Sequence, residues 1–282
     1  MKLVWINLGI IVVADLLSLF SWISLSIVQS FILLAVMVYL PELYNIQYAL
    51  DIWNFSFVSG LSILISFQLQ RGIFSSFFIL PWIFSCTMIF LENPPKLNFS
   101  PLEFLELSSK LYTLAASTVL FISRLGLRPF NFTDRLIELT AIHFHYAGIM
   151  VPILISKIYE LHSTKPMKIN SYLIGFGTTI VALGISIGKF KAQVGIFAVV
   201  FFAVPLILVS ITSFKFTCNL WIKFAHTLLV FTMGLAIFYA VGVSFSLNTI
   251  SISEMIITHG ILNGLGFIPL SIRGWKVQLN NT

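Results

Sequence analysis

The sequence predicts an all-α polytopic membrane protein, a bundle of about ten transmembrane helices with nine as the nearest alternative, on three observations. Mean hydropathy is +1.00. Of 282 residues, 58% are hydrophobic and only 9% charged, against about 25% charged in a soluble domain whose surface must be wetted. The charges that exist also bracket a succession of apolar runs, most near the ~20 residues that cross a bilayer, because a charge at mid-membrane costs roughly 2.5–3.5 kcal/mol.

These numbers exclude a disordered tail, a coiled coil, a disulfide-stapled secreted domain and a nucleic-acid binder working through a basic surface. The net charge of +6 comes from loop lysines and arginines, which in a membrane protein report orientation and anionic lipid. Cys86 and Cys218 lie in apolar runs without CxxC or Cys/His spacing, and they read as packing residues.

Helices are predicted over 3–20, 25–43, 54–69, 72–91, 101–124, 134–160, 169–188, 192–213, 219–243 and 252–272. Leu3 to Leu40 carries only Asp15 as a charge and is about twice the length of one span. It is therefore divided near Ser21–Ser26, where Ser-Trp-Ile-Ser-Leu-Ser suits a turn. Asp15 interrupts the first apolar run and no small-x-small site follows, so the first segment reads as a retained helix rather than a signal peptide. A tight turn at Gln70–Arg71 separates the third and fourth helices. Ser100-Pro101-Leu102-Glu103 opens the fifth with an N-cap, an N1 proline and a capping-box glutamate. The sixth follows an arginine-rich loop, and the seventh to ninth are long uncharged runs. Ser251-Ile252-Ser253-Glu254 opens the tenth with a second capping box, which gives Glu254 a structural reading.

Trp5, Trp22, Trp53, Trp221 and Trp275 fall near predicted span ends, as an aromatic belt requires. Trp82 is mid-span and does not fit. The connections are at most about ten residues, so residues 1–282 are expected to form a single integral membrane domain with no separate soluble part. P-loop and dinucleotide glycine fingerprints are missing. With a cytoplasmic N-terminus and ten spans, ten basic residues fall inside and six outside, which predicts cytoplasmic termini. The loop carrying Arg124, Arg128 and Arg135 is the main violation.

Strongly polar groups inside the spans mark functional sites. His143, His145, Tyr146 and Thr140 cluster on the sixth helix, and His259 and Asn263 on the tenth. His143 lies nine residues after Asp134 and His259 seven after Ile252, or on the order of 10–14 Å into their helices. Both helices start from one face, so the two groups are expected at a shared depth. On the sixth helix His143 and His145 are about 200° apart around the axis, so they address different neighbours. His226, on a helix starting from the other face, reads as part of another layer. Asp15 is a second subsidiary candidate, either paired with the cluster or marking a helix end. Gly260/Gly264 and Gly184/Gly188 form GxxxG pairs suited to close helix approach.

Three chemistries suit this set. His143, His145 and His259 could ligate a metal such as zinc, whose bound water would attack a lipid-like substrate with Tyr146 beside the oxyanion. Two facing histidines could hold haem. Without a metal, histidine, tyrosine, asparagine and threonine could bind a polar solute or relay protons. The functional classes are therefore a transporter or binder of a small solute, proton or metal, a membrane-embedded metalloenzyme, and a structural membrane protein. The bilayer is the partner of all three.

The strings His143-Phe144-His145-Tyr146-Ala147-Gly148 and His259-Gly260 with Asn263, Gly266 and Phe267 resemble the two signatures of the YndJ-like family of bacterial multispan membrane proteins. The resemblance implies a multi-pass protein of the bacterial inner membrane. The family is sometimes described as transporters, with no established substrate, so the resemblance points to the same cluster without choosing its chemistry.

Overall fold

The computed structural model describes residues 2–19, 25–92, 94, 99–188, 192–247 and 249–280. The predicted divide at Ser21–Ser26 falls mostly outside the described residues, as do Trp22, Lys96, Lys189 and Lys191.

Among the described residues ten helical segments follow one another: α1 Lys2–Leu19, α2 Ile27–Tyr48, α3 Trp53–Gln68, α4 Ile73–Glu92, α5 Pro101–Leu125, α6 Asp134–Leu161, α7 Lys165–Gly188, α8 Ala192–Phe216, α9 Leu220–Ser244 and α10 Ile252–Asn280. No strand occurs among the described residues. Eight of these helices are long and apolar enough to cross a membrane, and the apolar part of α1 is shorter. The protein is an all-α polytopic membrane protein.

The sequence sets the helix ends. Ser26 and Ser251 each make a complete capping box, with Gln29 and Glu254. At α5 the Ser100 hydroxyl accepts from the Glu103 amide and donates to the Glu103 carboxylate. The α6 N-cap is Thr133, and the α9 N-cap is Asn219, which accepts from the Trp221 and Ile222 amides. α2 outruns its predicted end because Tyr44 is buried and hydrogen-bonds Thr113 at 2.8 Å, and it stops at left-handed Ala49. α10 continues to Asn280, so Trp275 lies within it, 4% exposed and packed inside rather than in an interfacial belt. α4 is interrupted at Phe78–Ile79, just before Pro81, whose ring disfavours a continuous helix. The Ser62 hydroxyl donates to the Phe78 carbonyl at this break.

The chain forms two compact units, Met1–Pro95 with Lys110–Met150, and Lys96–Ser109 with Val151–Thr282. In the first, α2 is the most enclosed helix. α1 is tied to it by Asn7 and by Ser30, whose hydroxyl donates to Asp15. Among the described residues, Asp15 accepts from Ser30 of α2. α3 and α4 pack through a Ser59–Ser85 hydrogen bond, and Gly60 admits the Met37 side chain where a Cβ would collide with it. Lys110 is buried, with its ammonium 5.1 Å from the centre of the Tyr48 ring.

In the second unit, α7 through α10 pack through small residues. Gly184, from a predicted GxxxG pair, lies against Ala198 of α8, whereas the space where a Cβ would stand on Gly260 is open. Close approach of α9 and α10 occurs instead at Gly266, against Leu228, and at Gly274, against Ile222. The Asn219 amide group donates to the Gly274 carbonyl at 2.8 Å. Cys218 is exposed, in the turn before α9, rather than packed.

Candidate functional site

Three membrane helices change their winding where the polar residues sit. α2 is π-helical over Ala35–Tyr39, α6 over Phe144–Met150, and α10 over Ile256–Gly260 and Leu262–Phe267. Pro41, Pro152 and Pro269 each lie two residues beyond such a segment. The physical cause is common to these three segments, and Ile256–Gly260, nine residues ahead of Pro269, lies outside it. Proline has no N–H for the carbonyl four residues back, and its ring crowds that carbonyl, so the preceding turn widens to i→i+5 bonding. In α2 the carbonyl four before Pro41 belongs to Met37, and Asn7 Nδ2 of α1 donates to it at 2.7 Å. π turns are rare and concentrate at functional sites.

In the first unit the π turn of α6 aims neighbouring residues at different helices. The His145 side chain is fully buried; its Nε2 accepts from the indole N–H of Trp82 on α4 at 3.2 Å, and its Nδ1 lies 2.7 Å from the Ala141 carbonyl. Only one tautomer satisfies both contacts, the neutral ring with its proton on Nδ1. The two rings stack with centroids 6.0 Å apart. Trp82, the tryptophan the belt did not explain, is the partner of His145. Tyr146 turns instead toward α2, where its hydroxyl donates to the Phe31 carbonyl at 3.1 Å and its ring meets Phe31 and Tyr39 edge-on. Gly148 admits the Tyr112 ring, and an added Cβ would approach that ring to 2.7 Å. His143 is half-buried. The Thr140 hydroxyl bonds back to the Leu136 carbonyl within its own helix, a common resting place for a helical threonine.

In the second unit His259 and Asn263 converge on Thr232 of α9. His259 Nδ1 lies 3.0 Å from the Thr232 carbonyl, the Thr232 hydroxyl is 3.0 Å from Asn263 Oδ1, and Asn263 Nδ2 donates to the His259 carbonyl at 2.9 Å. A carbonyl accepts only, so Nδ1 carries a proton, and in the neutral ring Nε2 keeps the lone pair. His226 makes a helix-to-helix hydrogen bond with Ser210 of α8 at 3.0 Å, with Phe267 edge-on to its ring.

His143 and His145 thus belong to one unit and His259 to the other. No group of three or more His, Cys, Asp or Glu side chains able to hold a metal occurs among the described residues. Both ring nitrogens of His145 are engaged, and a metal there would displace the Trp82 bond. The donor set does not fit zinc at His145.

A second polar group, not singled out from the sequence, lies one and a half to three turns nearer the start of α6. Glu138 is buried and accepts from Arg71 at 2.8 Å and from Gln29 at 3.3 Å, with Arg124 at 3.9 Å. Arg124, also buried, donates to the Ser66 and Leu69 carbonyls and the Ser66 hydroxyl, and so caps the end of α3. Its own carbonyl accepts from Gly72 N and the Ser75 hydroxyl. Asp134 binds Arg71 and, through both carboxylate oxygens, Arg128; these contacts hold the Arg128 guanidinium charged above its ordinary range. The signal was present as spacing. Asp134, Glu138 and His145 fall at i, i+4 and i+11, one face of a helix.

The model of the YndJ-like protein family matches residues 25–267. The chain is 27% identical over 158 residues to a protein of Bacillus subtilis described as an uncharacterized membrane protein, YndJ, and the match covers 54% of the chain and 29% of that relative's length. No solved structure matches it.

Proposed function

The chain belongs to the YndJ-like family, and on that premise we propose that it binds a small polar solute within the membrane and carries it across together with protons. The binding residues of this reading are His259 and Asn263 of α10, and His143, His145, Tyr146 and Thr140 form a separate polar group on α6. They act in a single integral membrane domain of the bacterial inner membrane with both termini cytoplasmic.

The observation that carries this reading is His259. Its ring is pinned through Nδ1 to the Thr232 carbonyl on a π turn, which in the neutral ring leaves the Nε2 lone pair to accept. An imidazole in that state accepts a proton or a donor group of a solute without first breaking a hydrogen bond. His145 supports the reading in a different way. With both nitrogens satisfied, it holds α6 against α4 and fixes the π turn from which Tyr146 leaves the helix. Irregular backbone within a membrane is tolerated where it is enclosed by protein or lines a cavity, and transporters use such segments to meet their cargo.

The test is proton flux into liposomes holding the purified full chain, driven by an inward proton gradient and read with an entrapped pH dye. Wild type is expected to acidify the lumen well above empty liposomes, with His259→Gln reduced at least about tenfold, in the range of lost general acid–base groups. Wild-type flux equal to that of empty liposomes, or flux unaffected by His259→Gln in a folded protein, refutes the reading.

A further inference from the structure

The connection between α5 and α6 joins two membrane-length helices, so residues 126–133 stand at the depth of lipid headgroups. Its side chains divide into two kinds. Phe130 is 76% exposed and Leu127 53% exposed, with Phe130 and Asn131 in left-handed backbone, φ 55° and 54°. Arg128 is 63% exposed, and it lines a shallow depression with Asn131, Phe132, Thr133, Asp134 and Arg135.

The charges do not balance. Asp134 and Glu138 are both engaged by the guanidinium groups of Arg71, Arg124 and Arg128, and Arg135 adds a further positive charge at the same rim. The field over the loop is therefore positive. A soluble anion would answer that field and leave the apolar side chains of Phe130 and Leu127 in water. A molecule with an anionic head and apolar chains answers both.

We propose that this loop is a binding site for an anionic phospholipid, with the phosphate held by Arg128 and Arg135 and the acyl chains against Leu127 and Phe130. The site is separate from the polar residues of α6 and α10 and does not depend on what they carry.

The experiment supplies the full chain, purified in a mild detergent, with equal amounts of phosphatidylglycerol and phosphatidylcholine, and counts retained lipid by native mass spectrometry. Wild type is expected to retain phosphatidylglycerol preferentially. Arg135→Gln, which leaves the Arg128–Asp134 pair in place, is expected to lower the preference about fivefold, corresponding to about 1 kcal/mol per basic residue near a membrane surface. Phe130→Ser is expected to lower retention of both lipids while the preference for phosphatidylglycerol stays. Circular dichroism confirms that both variants fold. Equal retention of the two lipids by wild type overturns the proposal, as does a preference unchanged in Arg135→Gln. Displacement of phosphatidylglycerol by millimolar inorganic phosphate alone assigns the arginines to a free anion and also overturns it.

Discussion

Arg124 is the residue on which most of the first unit's polar contacts depend. It is buried, closes the carbonyl end of α3 and stands beside buried Glu138. Removing its guanidinium leaves the Ser66 and Leu69 carbonyls short of a donor, at about 1–3 kcal/mol for each buried group left unsatisfied. Arg124→Gln is therefore expected to lower the thermal midpoint of the purified protein by several degrees. Equal midpoints for wild type and Arg124→Gln would show that the buried contacts add nothing to stability. From the sequence, Arg124 read as a loop charge and a violation of the orientation rule. Its burial depends on α3, α4 and α6 ending together, which no local pattern encodes. Trp82 and His145 were visible singly but not as a pair, since 63 positions separate them.

At the scale of elements, the helices were legible from charge spacing and caps: α5 and α10 begin where Ser100 and Ser251 predict, and α6 begins at residue 134 as the charge spacing predicts. Their winding was not read, although its cause stood in the sequence as proline within an apolar run. Pro205 shows why proline alone does not decide it, since α8 passes through it without a π turn. The account predicts that Pro269→Ala gives the Leu265 carbonyl a backbone partner and replaces a residue about 3 kcal/mol unfavourable within a helix. Amide exchange across Leu262–Phe267 should then slow, and proton flux should fall with it. Unchanged exchange would mean that packing against α9, through Gly266 and Thr232, imposes the π turn without the proline.

For the whole molecule, composition alone reveals a membrane protein, and the family match over residues 25–267 agrees. The path of the chain makes a sharper prediction. Three membrane-length helices, α6, α7 and α8, separate the loop at Asn131 from the turn at Cys218, so the two lie on opposite faces. In intact cells an impermeant maleimide should label Asn131→Cys and not the native exposed Cys218 if the termini are cytoplasmic. Labelling of both would remove one of the three crossings. The central claim, that the polar turn around His259 serves a solute rather than packing alone, is tested most directly by the accessibility of Gly260→Cys in membranes, with Cys86 and Cys218 replaced by serine. The side chain has room there. Modification by a small, charged, water-soluble thiol reagent, with Phe84→Cys on the exposed apolar surface midway along α4 unmodified, is the predicted result. An unreactive Gly260→Cys in a folded protein would contradict the account and return His259, Asn263 and Thr232 to the role of a hydrogen-bonded clasp between α9 and α10.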